Sequence, residues 1–203
     1  MKNIHELEDD LRERWLKSYP DDERKAFCFD GLCYNGEIYN DGKNAHQGNE
    51  EKLWNNTDRR ILFLMKDTNN NSDSDYREWH WRNINHNFFN CIFKWLEGLS
   101  RISKDFIPTM ENGDYATVPN AVVTKYPLAI VNIKKISGTS FVSNKTLYEY
   151  ANRDKAFLQE QIRGILHPNI IVCGGGKGTV LNIAKNIIYE DESFRERSEE
   201  HTS

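Results

Sequence analysis

The chain has 203 residues, of which 38% are hydrophobic, 29% charged and 12% aromatic, and its formal net charge is -4. This length predicts a single domain, and the apolar content excludes a disordered chain. No run approaches the ~18 consecutive apolar residues of a membrane-spanning helix, and the N-terminus is acidic rather than a basic leader followed by an apolar run. We therefore expect a globular protein of the cytoplasm that has no contact with a membrane.

Cysteine and histidine spacing excludes two further classes. The four cysteines lie far apart with no Cys-x-x-Cys pair, which is typical of a reducing compartment and predicts no disulfide framework. The histidines offer no spacing typical of a zinc site, so no metal is expected.

The first quarter of the chain predicts one helix and then irregular structure. Apolar residues recur every three or four positions over 3–17, which predicts an amphipathic helix. Turn signals, including Asp30-Gly31, predict a short irregular or hairpin segment, and 41–56 is predicted to be a polar loop. The uninterrupted apolar run 60–65 is typical of a strand buried on both faces of a parallel sheet.

A second strand follows after a helix. Residues 67–76 have the composition of a loop directly after the first strand, which is where open α/β sheets bind ligands. A helix is predicted over 84–99 and irregular structure from there to about residue 125. The run 128–133 is a second apolar strand, followed by two lysines and a Ser-Gly-Thr-Ser loop.

The last predicted elements complete an alternation of strands and helices. They are a helix over 154–166, a strand over 170–173, a glycine turn over 174–176 and a helix over 180–188. The alternation predicts an α/β fold of three layers, with a short parallel sheet between helices. The glycine turn lacks the spacing of a nucleotide-binding loop, so we interpret it as a tight turn that lets the helix pack closely on the sheet, and expect no cofactor.

The last seven residues, 197–203, read Arg-Ser-Glu-Glu-His-Thr-Ser. They coincide with the in-frame translation of a common sequencing adapter. We therefore expect one α/β domain over 1–196 that is incomplete at its C-terminus, and an artefactual tail over 197–203. An ordinary charged, frayed C-terminus is the alternative interpretation.

Polar residues at two strand ends are the strongest candidate site. Asp67 follows the first strand and Asn132 lies in the second, so neighbouring parallel strands would bring a carboxylate and an amide to the same edge of the sheet. An Asp there can orient or deprotonate water, and an Asn can read the edge of a base. Lys134 and Lys135 are positioned to contact phosphates. In the alternative interpretation, Asp67 caps a turn and Asn132 satisfies loop backbone.

Two tryptophans in the loop after the first strand form a second candidate. Trp79 and Trp81 flank a histidine in a polar segment. Exposed aromatic rings stack on bases in proteins that bind single-stranded nucleic acid. The alternative is that one of the rings anchors the loop to the core.

These residues resemble the uracil-DNA glycosylase superfamily. Its first motif ends a buried strand with Gly-x-Asp-Pro or Gly-Glu-Ala-Pro, and the similar stretch 65–69 reads Met-Lys-Asp-Thr-Asn. Its second strand ends in Asn, in some branches as Asn-x-x-Lys, and 131–135 reads Val-Asn-Ile-Lys-Lys. The stretch 167–175 is similar to its third strand and turn. The chain also resembles uncharacterised bacterial and phage-borne proteins that carry Asp-Gly-Ile or Asp-Gly-Leu, followed by a turn that reads Leu-Lys-Glu-Thr-Asn or Leu-Lys-Asp-Thr-Asn.

The resemblance implies a uracil-DNA glycosylase-like fold without its last strand, and DNA as the partner. Asp67 would activate water for attack at the sugar C1′, while Asn132 would read a flipped, damaged or deaminated base and Trp79 or Trp81 would stack on it. However, Met65 and Thr68 replace the family's Gly and Pro, and no counterpart of its His loop follows the third strand. The alternative function is therefore a catalytically inactive module that binds nucleic acid, single-stranded DNA above all, or another partner.

Overall fold

The computed structural model describes residues 2–39, 44–68, 74–78, 87–109, 119–138, 141–175 and 178–190. Its helices are α1 (Ile4–Ser18), α2 (Asp21–Arg24), α3 (Glu50–Asn56), α4 (Asn87–Arg101), α5 (Pro119–Val123), α6 (Asn144–Arg153), α7 (Lys155–Gln159) and α8 (Thr179–Ile183). The π-helical segments Glu160–Leu166 and Ala184–Ile188 continue α7 and α8.

The strands are β1 (Cys28–Phe29), β2 (Gly31–Leu32), β3 (Ile61–Asp67), β4 (Ser74–Asp75), β5 (Ala129–Lys134) and β6 (Ile170–Cys173). Four of them form a sheet in the order β2-β5-β3-β6, in which β5, β3 and β6 are parallel and β2 is antiparallel to β5. Strands β1 and β4 form a separate parallel pair. The chain therefore has a mixed α/β fold, as predicted, and the antiparallel edge strand was not foreseen.

The three strands predicted from apolar runs are confirmed, and β6 has the predicted bounds. The N-terminal helix is confirmed over Ile4–Ser18, and the described part of the helix expected at 84–99 is α4. Four helices were missed, and one of them is the short α2, which is separated from α1 by two residues. Helix α3 lies in the predicted polar loop, α5 lies in the segment predicted to be irregular, and α6 precedes the helix expected at 154–166.

Helices cover both faces of the sheet. Leu62 and Leu64 of β3 belong to a buried cluster with residues of α1, α6, α7 and α8. Ile61 and Phe63 alternate with them and belong to a second buried cluster with residues of α4 and α5. Because successive strand residues point to opposite faces, the two clusters lie on opposite sides of the sheet.

The glycine turn after β6 packs directly on β3. Gly174 N–H donates to the Leu64 carbonyl at 2.8 Å, and a Cβ on Gly174 would lie 2.4 Å from Met65 Sδ. Gly175 has a φ of 108°, a conformation that other residues rarely adopt. These contacts support the interpretation of this segment as a close-packing turn.

Helix α3 is held by long-range contacts. The buried Glu50 carboxylate accepts hydrogen bonds from the backbone N–H groups of Asn35 and Gly48 and lies 2.8 Å from His5 Nε2. Trp54 is buried, and its Nε1 donates to the Leu166 carbonyl at 2.8 Å. The helix is therefore stabilised by residues distant in sequence, which a local pattern does not reveal.

We expect Trp54→Phe to lower the free energy of unfolding by about 2–3 kcal/mol, because it leaves the Leu166 carbonyl without its donor and removes buried ring atoms. Urea unfolding followed by circular dichroism measures the change. The matched control is Trp95→Phe in α4, where the side chain is exposed and a change within about 0.5 kcal/mol is expected. Equal losses of unfolding free energy for the two substitutions would contradict the role given to Trp54 in holding α3.

Within the described ranges, no helix is both long enough and apolar enough to span a bilayer.

Candidate functional site at the carboxyl edge of the sheet

Strands β3 and β5 bring three of the predicted site residues to one edge of the sheet. In the parallel register, Met65 pairs with Asn132 and Asp67 pairs with Lys134. Asn132 and Lys134 are two residues apart in β5, so their Cβ atoms point to the same face of the sheet. The prediction that the ends of these two strands, β3 and β5, lie close together is therefore confirmed.

Asp67 and Lys134 form a close, mostly buried pair. Lys134 Nζ lies 3.7 Å from Asp67 Oδ2, and the two side chains are 8% and 10% exposed. Burial raises the pKa of the Asp67 carboxyl, although the neighbouring Lys134 and Lys66 oppose that rise. Asp67 Oδ2 is buried and makes no hydrogen bond, and the charged group that faces it is the Lys134 ammonium.

Glycine at position 138 packs closely against this pair. A Cβ there would lie 3.1 Å from Lys134 Nζ and 3.3 Å from Asp67 Oδ2. Gly138 is itself fixed by its N–H, which donates to the Thr68 carbonyl at 3.2 Å. A side chain at this position would therefore crowd both charged groups, and glycine allows the segment after β5 to lie close to them.

Two hydroxyls on the same connections also have no hydrogen-bond partner. Thr68 Oγ1 follows β3, and Ser137 Oγ follows β5 by three residues; both atoms are buried. Buried polar atoms are normally hydrogen-bonded, and an ordered water is one way in which such atoms are satisfied. Together with Asp67 Oδ2, they are three buried polar side-chain atoms without a hydrogen bond on the segments that end β3 and follow β5.

Lys134 is held by three neighbours. Its Nζ donates to the Ile136 carbonyl, faces Asp67, and lies 5.3 Å from the centre of the Tyr150 ring in α6. Burial lowers the pKa of the Lys134 amine, and the negative charge of Asp67 opposes that change. Lys134 thus lies at the predicted edge of the sheet. Its side chain is more buried than that of a lysine that contacts a phosphate at the protein surface.

Asn132 is oriented by Asp30, which was predicted only as part of a turn. Asp30 Oδ2 accepts hydrogen bonds from the Asn132 backbone N–H at 3.0 Å and from its side-chain Nδ2 at 2.9 Å. Asp30 lies between β1 and β2. Its carboxylate accepts the hydrogen bond from the Asn132 N–H that a backbone carbonyl of a neighbouring strand would otherwise accept. The carboxamide therefore has a fixed direction before any ligand binds.

The structure corrects the expectation for Lys135. Its side chain is 0% exposed, and its Nζ forms an ion pair with Asp30 and donates to Gln161 Oε1 at 3.3 Å. The ammonium also lies 4.8 Å from the centre of the Trp15 ring. Lys134 and Lys135 are consecutive, so their side chains point in opposite directions, and Lys135 enters the core while Lys134 stays at the edge of the sheet. The prediction that Lys135 contacts a phosphate is therefore wrong, because its side chain is buried.

The two tryptophans, Trp79 and Trp81, lie outside the described residues, and their predicted stacking role stays a prediction. Sequence reasoning also missed two residues of the site. Asp30 was assigned to a turn because Asp-Gly is a turn signal, and Gly138 was assigned to a loop without a specific role. The available signal for Gly138 was its position four residues after the end of β5, which carries charged residues.

No protein-family model, curated protein or solved structure matches this chain.

Proposed function

We propose that the chain is a uracil-DNA glycosylase-like protein that removes a damaged or deaminated base from DNA. In this proposal Asp67 activates a water molecule, which attacks the sugar C1′, and Asn132 reads the flipped base. The observation that carries the proposal is the buried Asp67 carboxylate oxygen that lacks a hydrogen-bond partner at the carboxyl edge of the parallel strands. A general base needs a carboxylate oxygen that is not already committed to a hydrogen bond, so that it can take a proton from the attacking water.

The surroundings of Asp67 support hydrolysis at an electron-poor carbon. Lys134 offers positive charge 3.7 Å from the carboxylate, where it can balance charge that develops on the departing group. The fixed Asn132 amide can discriminate between bases, because a preorganised hydrogen-bonding group rejects a partner that leaves it unpaired.

The substrate we propose is single-stranded DNA. A base in a single strand is already unpaired, so turning it into the site costs less than the few kcal/mol required in a duplex. The net charge of -4 gives no general attraction to DNA, so contact depends on local cations and on base stacking, the role predicted for Trp79 and Trp81.

We expect Asp67→Asn to lower the rate of base release by at least about 100-fold, because the amide cannot accept a proton from water. Binding to the same oligonucleotide is expected to persist. The assay measures free base released from single-stranded oligonucleotides that carry one uracil or one hypoxanthine. Asp58→Asn is the matched control, since Asp58 is exposed near the opposite end of β3, and the control should retain the wild-type rate.

Equal rates for wild type and Asp67→Asn would remove Asp67 from the mechanism. DNA binding by the wild type without base release would favour the second candidate, a catalytically inactive nucleic-acid-binding module. One observation favours that candidate, namely that Asn132 already donates its amide to Asp30.

A further inference from the structure

An exposed aromatic ring lies near the carboxyl edge of the sheet. Phe141 is 77% exposed, a larger fraction than that of Trp95, which is 53% exposed. Phe141 follows Gly138 by three residues, and Gly138 packs against Asp67 and Lys134. Three residues of chain span at most about 11 Å, so the ring is attached close to the candidate site. Phenylalanine is normally buried, and a ring held in solvent at this place can contact a ligand of the site.

The residues after Phe141 are fixed by the start of α6. Val142 is buried, and it belongs to the same core cluster as Leu147 of that helix. Ser143 caps the helix, since its Oγ accepts a hydrogen bond from the Thr146 N–H at 3.0 Å. A buried residue before the cap that packs with one in the first turns fixes the direction in which the chain enters a helix. The exposed ring of Phe141 is therefore attached to a well-defined point of the fold.

Lys66 supplies a positive charge at the same edge. It alternates with Leu62 and Leu64 along β3, so its side chain leaves the strand on the face that α6 and α8 cover. A Cβ at Gly175 would lie 2.8 Å from Lys66 Cε and 2.9 Å from its Cγ. The aliphatic part of Lys66 is therefore packed along the turn that precedes α8, which fixes where its ammonium group emerges.

Lys66 differs from the two lysines that were predicted to contact phosphates. Lys134 faces Asp67 at 3.7 Å, and Lys135 forms a buried ion pair with Asp30. Lys66 is partly exposed, and within the described ranges its ammonium forms neither a hydrogen bond nor an ion pair. Its charge acts on the Asp67 carboxyl without an ion pair between them. The ammonium of Lys66 is therefore available to an anion such as a phosphate.

Phe141 and Lys66 lie at the starts of two helices that pack against each other. Phe141 precedes α6, Lys66 packs on the turn before α8, and α6 contacts α8. The two helices follow the parallel strands β5 and β6, so both begin at the carboxyl edge, where Asp67 ends β3. Proteins that bind single-stranded DNA combine an aromatic ring that stacks on bases with cations that follow the backbone.

We propose that single-stranded DNA crosses the carboxyl edge between the starts of α6 and α8, with one base stacked on Phe141 and one phosphate bound to Lys66. The path passes Asp67, which is next to Lys66 in β3. Stacking tolerates every base and a phosphate carries no sequence information, so these contacts hold the strand and leave base selection to Asn132. The inference rests on the proposed function for its ligand, single-stranded DNA.

The test measures binding of a fluorescent single-stranded oligonucleotide of thymines by anisotropy, at salt concentrations between about 0.05 and 0.2 M. Phe141→Ala is expected to weaken binding at least about 5-fold without changing its salt dependence, because stacking is not ionic. Lys66→Gln is expected to weaken binding about 5-fold at about 0.1 M salt. It should also lower the slope of log Kd against log salt by about 0.7, the value for one phosphate contact on a single strand.

Two exposed residues elsewhere provide the controls. Trp95→Ala removes an exposed ring from α4, and Lys52→Gln removes an exposed lysine from α3, so both variants should bind as the wild type does. Thermal unfolding verifies that each variant is folded, and Phe141→Leu replaces the alanine variant if that one is not. Wild-type affinity in the Phe141 variant, a wild-type salt slope in Lys66→Gln, or no binding by the wild type would overturn the proposal.

The outcome is separable from the test of base removal, because the thymine oligonucleotide carries neither uracil nor hypoxanthine. The expected losses of affinity without base release from uracil-containing DNA would support this path and count against the proposed function. Base release by the wild type together with unchanged binding by both variants would overturn the path and leave the proposed function standing.

Discussion

Replacing Lys135 with methionine is expected to lower the free energy of unfolding by about 3–5 kcal/mol, because the substitution leaves the Asp30 carboxylate buried without its ion pair. Asp30 and Lys135 are buried, and the ammonium lies directly on Asp30 Oδ1. Burial raises the pKa of Asp30, whereas Lys135 and the hydrogen bonds from Asn132 lower it. Without Lys135, the charged form of Asp30 loses the largest of the interactions that offset the cost of its burial.

Urea unfolding at neutral pH measures this effect. Lys145→Met is the control, since an exposed lysine should change the stability by less than about 0.5 kcal/mol. Combining Lys135→Met with Asp30→Asn should cost less than the sum of the two single substitutions, because the double variant buries no unpaired charge. A loss below about 1 kcal/mol for Lys135→Met would contradict the importance of this ion pair.

The second large effect concerns the pH dependence of stability. Burial raises the pKa of Glu8 from 4.5 to about 7, and Arg77, His5 and Gln161 oppose the rise. Between pH about 4.5 and about 7, Glu8 keeps a proton in the folded state that it has lost in the unfolded state. The contribution of Glu8 to stability is therefore full below pH about 4.5 and is lost as the pH rises through about 7. Wild type should therefore lose about 3 kcal/mol across this window relative to Glu8→Gln, at up to about 1.4 kcal/mol per pH unit.

The measurement is the unfolding free energy of both proteins at several pH values between about 4.5 and 7. Glutamine keeps the shape of Glu8 and cannot ionise, so the difference between the two curves isolates this residue. Glu13→Gln on the same helix is the control, because the Glu13 side chain is 70% exposed. Parallel curves for wild type and Glu8→Gln would show that Glu8 does not titrate as its burial implies.

The central strands were predictable because their signal is local. Strands β3, β5 and β6 are short apolar runs without alternation, as expected of strands covered on both faces. Helix α3 was not predictable in this way, because its segment is mostly polar. It is held by contacts such as that of Trp54 with Leu166, which lies 112 residues away.

The candidate site was predictable to the extent that parallel strands end together. That rule brings Asp67, Asn132 and Lys134 to one edge, and the register confirms their proximity. The sequence does not show which of two adjacent lysines enters the core. Lys135 does so because Asp30, 105 residues away, supplies a buried carboxylate for it.

Asp30 connects the core to the candidate site. One of its carboxylate oxygens holds the ammonium of Lys135, and the other holds the backbone and side chain of Asn132. A substitution at Asp30 should therefore disturb both the stability of the fold and the direction of the Asn132 amide. We infer that this carboxylate is a positioning residue for the site.

The most direct test of the central claim is whether the wild-type chain releases a free base from single-stranded DNA. Oligonucleotides carrying uracil or hypoxanthine are incubated with the protein, and the products are separated by chromatography and identified by mass. We expect free base together with a strand that contains one abasic site, and no such products with Asp67→Asn. Intact oligonucleotides after prolonged incubation with folded, DNA-binding wild-type protein would contradict the central claim.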